Sequence, residues 1–120
     1  MLFVNLSNHP VSGWLQEQID AAHEFGEIVD LPFPAISPFA GSEEIDSYVD
    51  EYYERVMAFT EPTVMLMGEY VFTYRLARKL KNAGLRVVAS CTERYAEERK
   101  KPDGTIEKVS LYRFVRFREY

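Results

Sequence analysis

Apolar residues in this chain fall into short runs that are separated by longer stretches with helical spacing. The runs are residues 1–6, 27–31, 63–67 and 85–90. A mostly apolar run of this length is too short for a helix and is typical of a strand buried on both faces. The stretches between the runs repeat apolar residues three and four positions apart, which predicts an amphipathic helix in each. The pattern therefore predicts four strands with a helix between each consecutive pair.

Residues that favour helix ends support the three helices. Serine caps the start of a helix, whereas glycine and proline end one. The predicted boundaries are Ser12 and Gly26 for the first helix, Ser42 and Pro62 for the second, and Gly84 for the end of the third. After the fourth run the pattern changes, because residues 92–101 and 105–117 form two extended arms around Pro-Asp-Gly, a tight-turn sequence.

Three successive strand-helix-strand connections predict a parallel sheet with right-handed crossovers and helices on both faces. The sequence thus predicts a single α/β, Rossmann-like domain over residues 1–120, with strand order 2-1-3-4 and a C-terminal β-hairpin. The hairpin is expected to extend the sheet antiparallel or to pair with another subunit. In such sheets ligands bind at the carboxyl ends of the strands, where the order switches between strands 1 and 3.

Charge is divided unevenly along the chain, whose net charge is -5. Residues 1–62 carry twelve acidic side chains and one basic side chain, Arg55, whereas residues 63–120 carry seven acidic and thirteen basic ones. An acidic protein is a poor binder of long nucleic acid, because each phosphate contact needs a cation. The basic half is compatible with a small anionic ligand, or with the acidic half of another subunit.

Other features narrow the class of protein. Cys91 is the single cysteine, which excludes an intrachain disulfide and a cysteine metal site. No apolar run approaches the roughly 20 residues that span a bilayer, and the N-terminus does not have the pattern of a signal peptide. We therefore expect a cytoplasmic protein of a bacterium or archaeon, with no membrane partner.

Polar side chains follow three of the predicted strands, at the edge where a ligand is expected. Glycine lets a ligand approach the backbone closely, and the N-terminus of the third helix would offer free N–H groups to an anion. The candidate site residues are Ser7, Asn8 and His9 after strand 1, Gly68, Glu69 and Thr73 after strand 3, and Thr92, Glu93 and Arg94 after strand 4.

These side chains favour phosphate chemistry without a metal. No glycine-rich phosphate loop, HExxH motif or histidine-cysteine cluster is present, and neither Ser7 nor Ser90 lies in a nucleophile-elbow sequence. Amides, an arginine and one histidine suffice for metal-free RNA cleavage, in which a 2′-hydroxyl attacks its own phosphodiester. Structural roles are the alternative: Ser7 and Asn8 in a turn, His9 in a solvated loop, Glu69 as a helix cap, and Glu93 with Arg94 as a surface ion pair.

Several motifs resemble one family over essentially the whole chain. These are "LSNHP", "EIVDLPFP", "MGEYVFTYRL", "ASCTER" and "YRFVRFREY". They are similar to small CRISPR-associated Rossmann-like proteins, which are encoded as accessory genes beside type III systems and include ring nucleases.

The resemblance implies a homodimer that binds a cyclic oligoadenylate, most of all cyclic tetra-adenylate, across its two-fold axis. It implies metal-independent and cofactor-free cleavage to linear di-adenylate with 2′,3′-cyclic phosphate ends, which switches off the antiviral defence signal. The implied catalytic residues are His9 as general acid or base with Ser7, Asn8 and Arg94, and the implied ligand-binding residues are Gly68, Glu69, Thr73, Thr92 and Glu93.

Two other functions stay open. The first is a non-catalytic protein that sequesters the same cyclic oligoadenylate. The second is a nucleoside deoxyribosyltransferase-like enzyme with Glu69 as its nucleophile, which would exchange bases on nucleosides.

Overall fold

A computed structural model describes all residues, 1–120, and shows a mixed α/β fold. The strands are β1 (Leu2–Leu6), β2 (Glu27–Asp30), β3 (Pro62–Leu66), β4 (Arg86–Lys100) and β5 (Ile106–Glu119). The helices are α1 (Gln16–His23), α2 (Ser42–Met57) and α3 (Tyr70–Asn82), and a short 3₁₀ turn covers Val11–Gly13. None of the helices combines the length and the apolar character that crossing a membrane requires.

All five strands belong to one sheet with the order β2-β1-β3-β4-β5. The pairs β1–β2, β1–β3 and β3–β4 are parallel, and β4–β5 is antiparallel. The predicted order of the first four strands and the predicted hairpin are confirmed. Four of the strands are parallel to one another, as predicted. The antiparallel fifth strand makes the sheet as a whole mixed.

Successive residues of the strands point to opposite faces of the sheet, and each face has its own core. Val4, Val64 and Val87 pack with α2 and α3 on one face. Phe3 and its neighbours Met65 and Val88 pack with Ala22 of α1 on the other. The prediction of helices on both faces is confirmed.

The start of the first helix differs from the prediction. Ser12 lies inside the 3₁₀ turn and caps nothing, and α1 begins at Gln16 with Leu15 as its N-cap residue. The Trp14 indole N–H donates to the carbonyl oxygen of His9 at 2.9 Å, and this bond holds residues 10–14 against the end of β1. Gly26 follows the helix as predicted, at φ 148°, where a Cβ would lie 2.5 Å from the Met1 carbonyl oxygen.

Strand β4 continues ten residues beyond Ser90, where the sequence pattern predicted its end. Between Cys91 and Thr92 a β-bulge shifts the pairing, because Cys91 lies opposite Arg116 and Thr92 opposite Phe114. Beyond the bulge, residues 92–114 form a two-stranded hairpin that we call the distal ribbon. The ribbon projects from the domain, since the radius of gyration is 17.3 Å against about 14 Å for a compact chain of this length.

Some acidic side chains of the first half of the chain form ion pairs with basic side chains of the second half. Arg75 and Lys79 of α3 pair with Asp46 and Asp50 of α2, at 3.0 Å and 2.8 Å. The acidic α2 therefore lies beside one basic face of α3. These pairs are exposed and each contributes little to stability.

Candidate functional site

The polar loop after β1 is held by a buried amide. Asn5 is 2% exposed although it lies in the middle of an apolar strand. Its Nδ2 donates to Asp30 Oδ1 and to the carbonyl oxygen of His9, both at 2.8 Å. Because a buried amide without partners is costly, these bonds fix the loop against the neighbouring strand.

Ser7 takes part in the same network. Its side chain is buried, and the hydroxyl donates to Asn5 Oδ1 at 2.7 Å and accepts from the His9 N–H at 3.2 Å. The hydroxyl is therefore engaged within the chain and positions His9. The His9 main chain is held through its N–H and its carbonyl, while the imidazole is exposed and makes no hydrogen bond within the chain.

A cavity of about 780 Å³ lies at the carboxyl ends of the central strands, and we call it the rim cavity. Ser7, Asn8 and His9 line it from the end of β1, Gly68 from the end of β3, and Thr92 from β4. The structure thus brings together five of the nine candidate residues, from three segments far apart in the sequence.

The wall of the rim cavity contains no acidic side chain, although the chain has 19 of them. Its titratable side chains are His9 and the phenols Tyr70 and Tyr112. The remaining polar groups are amides and hydroxyls, including Gln18 and Ser90. An anion that enters such a site meets no carboxylate in its wall, although the chain as a whole is acidic.

Gly68 lines the cavity for a different reason from the one expected. A Cβ at this position would lie 2.2 Å from the Phe33 ring, which packs edge-on against Phe72. The glycine therefore makes room for Phe33 within the protein. Close approach of a ligand is not what requires it.

The N-terminus of α3 does not offer the free N–H groups that were expected for an anion. Glu69 is the N-cap residue, and its two carboxylate oxygens accept from the N–H groups of Val71 and Phe72 at 3.0 Å and 2.7 Å. This capping role is the structural interpretation given above. A carboxylate with both oxygens engaged is poorly placed as the nucleophile of a deoxyribosyltransferase-like enzyme.

Glu93 and Arg94 lie on the distal ribbon, on opposite faces, and do not line the cavity. Glu93 pairs with Arg113 at 2.6 Å, so the expected ion pair between Glu93 and Arg94 does not form. Arg94 lies opposite Tyr112, which lines the cavity, and donates to the Ser110 hydroxyl at 3.0 Å. Arg94 is therefore on the cavity side of the ribbon, one step beyond Thr92, and has no carboxylate partner.

Thr73 lies in the first turn of α3, as expected, but outside the rim cavity. It lines a neighbouring groove that shares Met67, Gly68 and Tyr70 with the cavity. The side chains that sequence reasoning missed are Asn5, Trp14, Asp30 and Tyr112. Of these, Asn5 had a signal, because a polar residue inside an apolar strand requires a buried partner.

The structure contains no group of three or more histidine, cysteine or carboxylate side chains that could hold a metal ion. Residues 1–118 match the family described as the Uncharacterized protein MJ1673 family. No curated protein and no solved structure matches the chain.

Proposed function

The chain belongs to the MJ1673 family, and we propose that it is a metal-independent ring nuclease. It binds cyclic tetra-adenylate and cleaves it to linear di-adenylate with 2′,3′-cyclic phosphate ends, in the cytoplasm, and so switches off type III CRISPR signalling. The proposal draws on the motif resemblance, which also assigns the four parallel strands to a Rossmann-like domain. It requires the chain's own side chains and no cofactor.

The observation that carries the proposal is the rim cavity. Its wall is free of carboxylates and presents one exposed imidazole, that of His9, beside amide and hydroxyl groups. Its volume of about 780 Å³ lies within the range of roughly 300–1,000 Å³ that is usual for small-molecule sites, which is room for part of the cyclic tetranucleotide and not for the whole ring. A phosphodiester needs hydrogen-bond donors and no opposing negative charge, and this wall meets both needs.

The reaction that we propose is an in-line transfer within one nucleotide. The 2′-oxygen of a ribose forms a bond to the adjacent phosphorus, and the bond from phosphorus to the 5′-oxygen breaks. The 2′-hydroxyl loses a proton and the leaving 5′-oxygen gains one, so the products are a 2′,3′-cyclic phosphate and a 5′-hydroxyl. His9 exchanges one of these protons and solvent water exchanges the other, because an imidazole can both accept and donate a proton.

The surrounding residues orient the phosphate and the imidazole. Ser7 acts through the His9 main chain, which its hydroxyl holds. Asn8 and Thr92 supply polar groups at the cavity wall. Arg94 reaches a ligand that extends from the cavity onto the ribbon, and its guanidinium stabilises the charge on the phosphorane.

A homodimer fits the symmetry of this substrate. Cutting the ring into two di-adenylates requires two cleavages at opposite positions, and two copies of the chain supply one His9 for each. The distal ribbon offers a contact surface for the second copy, since Ile106 and Tyr112, which share one face of the ribbon, expose 66% and 61% of their surface.

The direct test is to incubate the purified protein with cyclic tetra-adenylate in EDTA and to separate the products by chromatography. We expect di-adenylate from the wild type and a loss of about two to four decades in rate for His9→Ala. The matched control is His23→Ala, because His23 is the other histidine and lies exposed in the last turn of α1. This variant should retain the wild-type rate.

The same experiment separates the other candidates. An intact ring after prolonged incubation with excess enzyme would overturn the nuclease, and equal binding by wild type and His9→Ala would then select sequestration. Base exchange on nucleosides that is lost in Glu69→Gln would select the deoxyribosyltransferase-like activity instead.

A further inference from the structure

A second cavity adjoins the proposed nuclease site, on the other side of the residues that end β3. It has a volume of about 700 Å³ and lies between α3 and Tyr120, and we call it the α3 groove. Met67, Gly68 and Tyr70 line both this groove and the rim cavity. A ligand that fills one cavity can therefore extend directly into the other.

The wall of the groove is rich in aromatic surface. Tyr70 and Tyr74 are one helical turn apart on α3, which places their rings on the same face. They are 90% and 66% exposed, although large aromatic side chains stabilise a protein when they are buried. Tyr120 forms the facing wall, and its hydroxyl donates to the Leu66 carbonyl oxygen.

The phenol of Tyr120 is fixed as a hydrogen-bond donor. Burial, followed by the charge of the nearby Cys91, raises the pKa of Tyr120 above its ordinary value. The hydroxyl therefore keeps its proton at neutral pH, and the ring stays in place against β3.

The two faces of α3 use their cations differently. Arg75 and Lys79 face α2, where each pairs with an aspartate. Arg78 lies on the groove side and forms no ion pair, and Lys81 donates to the main-chain oxygen of Tyr120. No acidic side chain lines the groove. Positive charge is therefore available there beside aromatic rings.

Thr73 supplies an unsatisfied polar group in the same wall. The residue is 8% exposed and lines the groove, and its hydroxyl oxygen is buried without a hydrogen-bond partner. Leaving such a group unpaired is costly, and native proteins rarely do so without a reason. The oxygen is closed to solvent as it stands, so a ligand in the groove pairs with it only after Thr73 changes its χ1 rotamer, of which a helical threonine populates two.

We propose that the α3 groove binds an adenine nucleotide unit of the ligand. The base stacks on Tyr70 and Tyr74, a polar atom of the nucleoside pairs with the Thr73 hydroxyl, and the phosphate lies near Arg78 and Lys81. This inference rests on the proposed function for the identity of the ligand, since the groove then holds a nucleotide next to the phosphodiester at which His9 transfers a proton. The groove sets the preference for the base, whereas the rim cavity carries the chemistry.

The test measures binding by calorimetry in the His9→Ala background, where the ring stays intact. We expect Arg78→Gln and Tyr74→Ala each to weaken the binding of cyclic tetra-adenylate by at least tenfold. Arg75→Gln is the matched control, because it removes a cation from the opposite face of the same helix, and it should change affinity by less than about twofold. Thr73→Val should weaken binding by about fivefold or more and should raise the melting temperature, since it deletes an unpaired hydroxyl.

Adenosine monophosphate, cytidine monophosphate and orthophosphate are the further probes, used with the wild type. The base site is supported if adenosine monophosphate binds more tightly than the other two probes and if Tyr74→Ala abolishes its binding. If these results are obtained and the cyclic ring does not bind, only the proposed nuclease function fails. If the cyclic ring binds tightly and its affinity is unchanged in Arg78→Gln, Tyr74→Ala and Thr73→Val, the nucleotide site in the α3 groove is overturned. The proposed nuclease function would still stand. Equal binding of all three small probes also overturns it, because a general anion site would not distinguish a base.

Discussion

The distal ribbon and the rest of the chain, which we call the body, hold their side chains in different ways. Every buried residue belongs to the body, where two cores sandwich the sheet. The ribbon is held by its backbone ladder and by exposed pairs such as Glu93–Arg113 and Glu97–Arg99. An isolated two-stranded hairpin is marginally stable in water. We therefore expect the body to hold its site residues in place before a ligand binds, and the ribbon to change conformation when a ligand binds.

The loop after β1 differs from both regions, because it is polar like the ribbon and yet its main chain is held by hydrogen bonds from the body. Asn5 and Ser7 hold its main chain from beneath, and Trp14 holds it from the side. The imidazole of His9 thus stands on a rigid base, whereas Arg94 stands on the projecting ribbon. We expect the histidine to be positioned before the ligand binds and the arginine to be positioned by it.

The largest expected difference between the two regions is in stability. Phe72→Ala removes a fully buried ring of the body and should lower the free energy of unfolding by about 3–5 kcal/mol. Tyr95→Ala truncates a half-exposed ring of the ribbon and should change it by about 0.5 kcal/mol or less. Urea denaturation of both variants measures the contrast. A loss at Tyr95 as large as that at Phe72 would show that the ribbon belongs to the cooperative core.

A smaller effect is expected from the amide beneath the site. Asn5→Ala leaves the Asp30 carboxylate and the His9 carbonyl oxygen without their shared donor, and should cost about 1–3 kcal/mol of unfolding free energy. The cleavage rate should also fall, although Asn5 lies beneath the loop, because His9 is less well positioned. The measurements are urea denaturation and the rate at saturating substrate. Val29→Ala, in the adjacent strand, is the control for lost stability alone, and an equal fall in rate there would contradict the positioning role.

The smallest expected effect is at the tip of the ribbon. The Thr105 hydroxyl and then its N–H donate to Asp103, and these bonds hold the pKa of that carboxyl below its ordinary value. A carboxyl group whose pKa is lowered by folding stabilises the folded state at any pH above its unfolded-state pKa. That contribution is lost as the pH falls through the folded-state pKa. The protection factor of the Thr105 amide, which is its intrinsic exchange rate divided by the observed rate at the same pH, should therefore fall below about pH 4. Asp103→Asn should abolish that pH dependence, while the protection factors of the β1 amides should not change in this range.

The sequence pattern predicted the strands because each depends on local information, and their order because it follows the usual arrangement of small parallel α/β sheets. A short apolar run is a buried strand wherever it occurs, and the length of the connections forces parallel pairing with crossovers. The hairpin was predictable for the same reason, since Pro-Asp-Gly specifies a tight turn. The gathering of Ser7, His9, Gly68 and Thr92 at one cavity followed from the topology alone.

What the sequence did not predict depends on contacts between distant residues. The bond from Asn5 to Asp30 spans 25 positions, and the contact of Phe33 with Gly68 depends on how a proline-rich loop folds back. The predicted start of α1 was wrong because Ser12 lies in a 3₁₀ turn and the helix begins after Leu15, whose side chain makes no capping bond. The unpaired hydroxyl of Thr73 could not be inferred either, because a threonine in a helix usually finds a partner in the preceding turn.

The bulge at Cys91 and Thr92 decides which side chains of the ribbon meet the ligand. Side chains alternate between the two faces along a strand. The one extra residue, Val115, therefore places each side chain that precedes it in β5 on the face opposite to the one it would otherwise occupy. Tyr112 reaches the cavity because of that inversion, and Phe114 comes within 4.9 Å of the Phe117 ring on the same side. Deleting Val115 would turn Tyr112 outward and bring its sequence neighbours inward, which would change the recognition surface although no residue that lines it is substituted.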